Sequence, residues 1–105
     1  MFNGNLRFEW DDKKNSLNFQ KHGIAFETAM HIFNDDYRIE IYDIEHSNFE
    51  DSYNTIGMVD DILFVVYTER KDNIRIISAR KADEVERRLY YDRNSYFREE
   101  CQAYQ

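Results

Sequence analysis

The sequence predicts an α+β fold: an antiparallel sheet of four to five strands, with two helices before it and one or two after it. Three observations carry that expectation. Helix signals, caps and an amphipathic stripe, fill residues 11–33, strand signals follow from 37 to 80, and a capping box at Asp83 and Glu86 opens a further helix. Proline is absent and only three glycines occur, with no repeat or linker-like run, so the 105 residues read as one domain over 1–105. Finally, 42% of residues are apolar and 16% aromatic, enough for a single core without disulfide staples.

The first element is a short strand, Leu6–Trp10. Asp11 and Asp12 offer an N-cap to a helix running to about His22, with Lys21 and His22 in the last turn, where cations suit the dipole. Gly23 stands where a left-handed residue ends such a helix. Phe26, Ala29, Met30 and Phe33 are spaced i, i+3, i+4, i+7, the stripe of a second helix, with His31 beside it. Four strands follow: Tyr37–Asp43, Tyr53–Val59, Ile62–Arg70 and Ile74–Arg80. The third is apolar from Ile62 to Val66 and is expected at the sheet centre, buried on both faces. Arg70-Lys71-Asp72-Asn73 reads as a type I turn with Asn73 in the left-handed position of a three-residue hairpin. That register sets Arg70 opposite Ile74 and Glu69 opposite Arg75. The third helix opens at Asp83 with Glu86 three residues on, a capping box. Val85 and Leu89 are its expected buried side, and Asp83/Arg87 and Glu84/Arg88 its i, i+4 ion pairs. The C-terminal extension, 92–105, is expected to be helical on the spacing of Phe97, Cys101 and Tyr104.

Net charge is −7 but unevenly divided. Residues 1–69 hold 5 Lys and Arg against 14 Asp and Glu, whereas residues 70–98 hold 9 against 5. The sequence pI of about 4.9 argues against a general nucleic-acid binder, since phosphate affinity comes from cations, but a local basic segment can still bind phosphate. A lone Cys101 excludes an intrachain disulfide. With no signal-like apolar run and no membrane-spanning window, a soluble cytoplasmic protein is expected.

FEWD (8–11), NFQKHGIAFETA (18–29), DIEHS (43–47), TIG (55–57), VVYTER (65–70), IRIISARKA (74–82) and ERRLYY (86–91) stand in an order and spacing that resembles the BrnT-type toxins of type II toxin–antitoxin modules. The resemblance covers about residues 8–91. It implies a RelE-like ribonuclease fold and metal-independent RNA cleavage that inhibits translation. It also implies a cognate antitoxin with a ribbon-helix-helix-like domain, through which alone operator DNA would be bound. The chain departs from the family pattern at Ala25, where a Ser usually caps the second helix, and at Ser52, where an Arg usually stands. The second departure keeps another reading open: a non-catalytic, toxin-like binding module acting through its protein partner.

Metal-free RNA cleavage needs a base for the 2′-OH, cations for the charge building on phosphorus, an acid for the leaving oxygen and a platform for bases. Arg80 is the chosen cation, because arginine binds phosphate as a fork and keeps its proton. A strand-end arginine paired with Glu84 or Asp83 is the structural alternative. Arg70 is a second candidate at the hairpin end. Arg75 is either an RNA contact or the cross-strand partner of Glu69. His22 is a candidate acid or base, or else a helix-terminal histidine held by the dipole. Lys21, Ser78 and Lys81 are candidate RNA contacts. Tyr90 and Tyr91 could stack on bases or move a proton, but adjacent helix positions point about 100° apart, so one of them belongs to the core. Tyr67 is a candidate contact or a core residue, and His46 is read as a loop residue. No metal or cofactor is expected: the paired aspartates fall at caps and turns, and no zinc spacing or Gly-rich phosphate loop occurs.

Overall fold

Residues 6–44 and 51–103 are described by the computed structural model, with side chains as far as residue 94. A short strand β1 (Arg7–Glu9) leads into α1 (Asp12–His22), α2 (Phe26–Ala29) and a 3-10 turn (Met30–Asn34). Then come β2 (Ile39–Tyr42), β3 (Ser52–Val59), β4 (Asp61–Arg70), β5 (Asn73–Lys81) and a single long α3 (Glu84–Ala103). The strands form one sheet in the order β1-β5-β4-β3-β2, with β4 at its centre. The α+β expectation stands, but the sheet is mixed. β2 to β5 pair antiparallel, whereas β1 runs parallel to β5, with Phe8 opposite Ile74 and Glu9 opposite Arg75. Parallel neighbours need a long crossover, and here everything from α1 to β4 supplies it.

The first helix forms where its caps predict. Asp11 accepts from the Lys14 N–H at 2.9 Å, and Gly23, at φ 75°, donates its N–H to the Phe19 carbonyl. Ala25 has no side-chain oxygen to cap α2. Asn15 of α1 takes over, accepting from Phe26 N–H at 2.8 Å while donating to Glu27 at 2.8 Å. The second helix is α-helical only over Phe26–Ala29 and then tightens to 3-10, yet its stripe still buries Phe26, Ala29, Ile32 and Phe33. A Cβ at Gly57 would lie 2.5 Å from Ile32 Cγ1, so glycine is what lets this turn press onto β3.

Two expectations of local register are corrected. β4 and β5 are joined by Lys71-Asp72 alone, because Lys71 (φ 53°), not Asn73, takes the left-handed conformation. Arg70 therefore faces Asn73, Glu69 faces Ile74, and Thr68 faces Arg75. On α3, Val85 is 76% exposed and Leu89 37%; the inward residues are Tyr90 and Asn94. The helix is steered by hydrogen bonds, Tyr90 to Asp35 at 2.6 Å and Asn94 to the Tyr37 carbonyl at 3.3 Å. Arg87 pairs with Asp61 at 2.8 Å instead of Asp83, while Glu84–Arg88 forms as expected at 3.6 Å. The side chains of Phe97, Cys101 and Tyr104, and His46, lie outside the described residues.

The sheet is packed on both faces. On one, Phe26, Ala29, Ile32 and Phe33 meet Leu63, Val65, Tyr67, Ile74, Ile76 and Ala79. On the other, a smaller cluster joins Ile39, Ile56, Ile62 and Tyr90, with Phe64 and Ala82 against it.

Candidate functional site

Alternation along a regular strand would send Arg75 and Arg80, five residues apart, to opposite faces. A bulge changes that. Val66 pairs with Ser78 but Tyr67 pairs with Ile76, leaving Ile77 as an extra residue. Ile74, Ile76 and Ala79 consequently all face the α2 side, and Arg75, Ser78 and Arg80 all face the α3 side. The register then builds rows across the sheet on that face: Ser52, Thr68, Arg75 and Glu9; Asn54, Val66 and Ser78; Ile56, Phe64 and Arg80. The Tyr90 cluster covers the last row at Ile56 and Phe64, while Asn54, Val66, Thr68, Arg75 and Ser78 remain half-buried.

β1 is too short to pair with β5 beyond Arg75, so the outer backbone groups of Ala79 need another partner. Asn18 of α1 provides it. Its carboxamide donates to the Ala79 carbonyl at 2.7 Å and accepts from the Ala79 N–H at 3.1 Å, while also donating to the Ile24 carbonyl at 2.9 Å. One residue before Arg80, a side chain stands in for a neighbouring strand.

Arg80 itself is held on three sides. Glu86 accepts from Nη1 and from Nη2, both at 2.8 Å; the Lys81 carbonyl accepts from Nη1 at 3.1 Å; and the guanidinium carbon sits 4.2 Å from the centroid of the Phe64 ring. The hydrogen bonds to Glu86 raise the already high guanidinium pKa further. A guanidinium has five N–H donors. Among the described residues, three are occupied, and the two remaining, on Nε and Nη2, lie side by side on one edge. That edge is a fork of the shape a phosphate takes.

Glu9 organises the other cations of the face. It accepts from Asn73 at 2.9 Å and Arg75 at 2.9 Å, with Arg70 at 3.7 Å. The Asn73 and Arg75 hydrogen bonds hold its carboxyl below the usual range. The partner expected for Arg75, Glu69, is thus replaced by a residue from β1, and Glu86 replaces Glu84 or Asp83 as partner of Arg80.

The remaining sequence-predicted residues are dispersed. Tyr67 lies on the opposite face, 2% exposed, stacked on Tyr53 at 5.3 Å and edge-on to Phe33 at 5.0 Å. Its hydroxyl donates to Glu40 at 2.6 Å. Burial, reinforced by Glu40, pushes its phenol well above the ordinary tyrosine range. This raised value has a consequence at high pH. The unfolded tyrosine gives up its proton near pH ~10, whereas the folded one keeps it. Stability from this group is complete below that pH and falls as pH rises beyond it. Urea unfolding from pH ~9 to ~11 should show a steeper loss for wild type than for Tyr67→Phe; equal slopes would exclude Tyr67 as the source.

Tyr90 is core, 5% exposed. Tyr91, 42% exposed, meets the Tyr90 ring edge-on and shares a helix stripe with Arg87, which reaches to Asp61 at the β3–β4 turn. That stripe turns away from the one carrying Glu86. Lys81 is exposed on the α2 side, 3.9 Å from Asp61. Lys21 and His22 are exposed in the last turn of α1, one turn beyond Asn18. Sequence reasoning missed Glu86, Phe64, Glu9 and Asn18 as parts of this site. Only Glu86 had a signal, its capping-box position, which concealed a second task.

Among the described residues no group of three or more His, Cys, Asp or Glu could hold a metal ion, and no helix is long and apolar enough to cross a membrane.

Comparison with known proteins bears on this geometry. A family described as the ribonuclease toxin BrnT of a type II toxin–antitoxin system matches residues 10–86. The crystal structure of the Brucella abortus ribonuclease toxin BrnT superposes with a TM-score of 0.62 at 20% identity, covering 75% of this chain and 99% of that one. At that identity the likeness speaks for the fold alone. Among curated protein sequences, none matches.

Proposed function

The chain belongs to the BrnT family of ribonuclease toxins of type II toxin–antitoxin systems, and we propose that it is a metal-independent endoribonuclease, RelE-like in mechanism, that inhibits translation in the cytoplasm until a cognate antitoxin neutralises it. Arg80 is the cation that meets the phosphorane. Arg75, Arg70 and Ser78, on the same face, contact the RNA backbone. His22 is the remaining candidate for moving the 2′-OH proton, supported by its place one turn from the Asn18–Ala79 contact. The antitoxin would carry the ribbon-helix-helix-like domain that binds operator DNA. The observation that carries the reading is the open Nε–Nη2 edge of an arginine whose other donors are already bound. Such a fork can contribute to catalysis by stabilising charge that develops only in the transition state.

One placement favours the second reading, a binding module without activity. Ser52, where the family pattern has an Arg, lies 5% exposed in the same row as Thr68, Arg75 and Glu9, so the missing cation belongs to this very face. Cleavage of end-labelled RNA by the purified chain, with and without EDTA, separates the two. Cleavage indifferent to EDTA, together with growth arrest on expression that the adjacent gene product relieves, is the expected result. A chain that binds that product but neither cuts RNA nor arrests growth is a binding module.

A further inference from the structure

The Arg80–Glu86 contact exceeds what the start of α3 requires. A capping box needs one carboxylate oxygen on the N-cap N–H and one return bond. Both are present: Glu86 Oε1 accepts from Asp83 N–H at 2.9 Å, and Asp83 Oδ1 accepts from Glu86 N–H at 2.8 Å. Yet Glu86 also binds Arg80 with both oxygens, and its side chain is only 16% exposed. The cap fixes the carboxylate, the carboxylate fixes one edge of the guanidinium, and Phe64 fixes its plane.

We propose that Glu86 is a positioning residue: by taking the Nη1–Nη2 edge of Arg80 it holds the Nε–Nη2 edge in place as a ready-oriented fork for a single RNA phosphate. This rests on the reading of Arg80 as the phosphate-binding cation. Glu86 takes no proton-transfer step in this role: three hydrogen bonds, two from Arg80 and one from Asp83 N–H, engage its carboxylate. Its effect passes through Arg80. A fork held before substrate arrives loses less freedom on binding, and its geometry is set by the fold.

The test compares Glu86→Ala with Asp83→Ala. The second breaks the reciprocal cap but leaves the clamp on Arg80, so it controls for a weakened helix start. Glu86→Ala should lower kcat about tenfold to a hundredfold with KM changed by less than about threefold, whereas Asp83→Ala should keep wild-type kinetics. In an Arg80→Ala background, Glu86→Ala should cost nothing more. A normal kcat in Glu86→Ala, an equal loss in Asp83→Ala, or an undiminished further loss in the Arg80→Ala background overturns the proposal. So does tighter RNA binding at unchanged kcat, which would make Glu86 a mere repulsive charge. An NMR readout separates this from the activity itself. The Arg80 Nε–H resonance should be sharp in wild type and averaged in Glu86→Ala whether or not the chain cuts RNA. If it is unchanged, Glu86 does not orient Arg80. If wild type is inactive while the resonance behaves as expected, the ribonuclease reading fails and the orienting role of Glu86 stands.

Discussion

Arg80→Ala is expected to reduce RNA cleavage by about 10²–10³, the loss of roughly 3–4 kcal/mol of transition-state stabilisation by analogy with removal of an oxyanion-site donor. The wild-type fork offers two donors on one edge, and alanine offers none. Arg80→Lys should recover only part of the rate, because an ammonium is a point charge and cannot fill both the Glu86 clamp and the phosphate fork. Neither variant should unfold the protein, since the Arg80 side chain is 35% exposed. Removing it does leave Glu86 without its partner, so a modest stability loss is expected. The measurement is single-turnover cleavage of a labelled RNA, with circular dichroism on the same samples and growth arrest on expression. A fully active Arg80→Ala would end the assignment of Arg80 as the catalytic cation.

Asn18→Ala is expected to destabilise the fold by about 3 kcal/mol, because it strands the N–H and C=O of Ala79 and the Ile24 carbonyl in a site where Asn18 is only 8% exposed. In a chain of this size that corresponds to a fall in Tm of roughly 12–24 °C. Asn18→Asp should be no milder, since it keeps the acceptor for Ala79 N–H but sets a buried carboxylate oxygen against the Ala79 and Ile24 carbonyls that Asn18 now donates to. Thermal unfolding followed by circular dichroism measures this directly. A Tm within about 3 °C of wild type would mean that water replaces the carboxamide and that Asn18 does not hold β5.

What the sequence by itself determined is whatever short-range chemistry decides. Asp11 and Gly23 bound α1 because caps act within one turn, and the capping box at Asp83 and Glu86 opens α3 for the same reason. Ile62–Val66 forms the central strand, as a continuous apolar run predicts, with Ile62, Leu63 and Val65 buried and Phe64 and Val66 half-buried on the α3 side. The family, too, was legible, from IRIISARKA and ERRLYY in their order. What only the tertiary structure decided are the contacts between residues far apart in the chain. β1 lies parallel to β5, a pairing between residues at opposite ends of the sheet's sequence that no local spacing encodes. Arg75 takes Glu9 rather than Glu69, since one left-handed residue at Lys71 shifts the hairpin register. Val85 and Leu89 stay exposed because Asp35 and the Tyr37 carbonyl draw Tyr90 and Asn94 inward instead. Tyr67 and Arg80 part company, and Arg75 joins Arg80, because of the single extra residue Ile77. A bulge moves every later side chain to the other face of its strand, and its position is set by long-range pairing that local residue spacing does not encode.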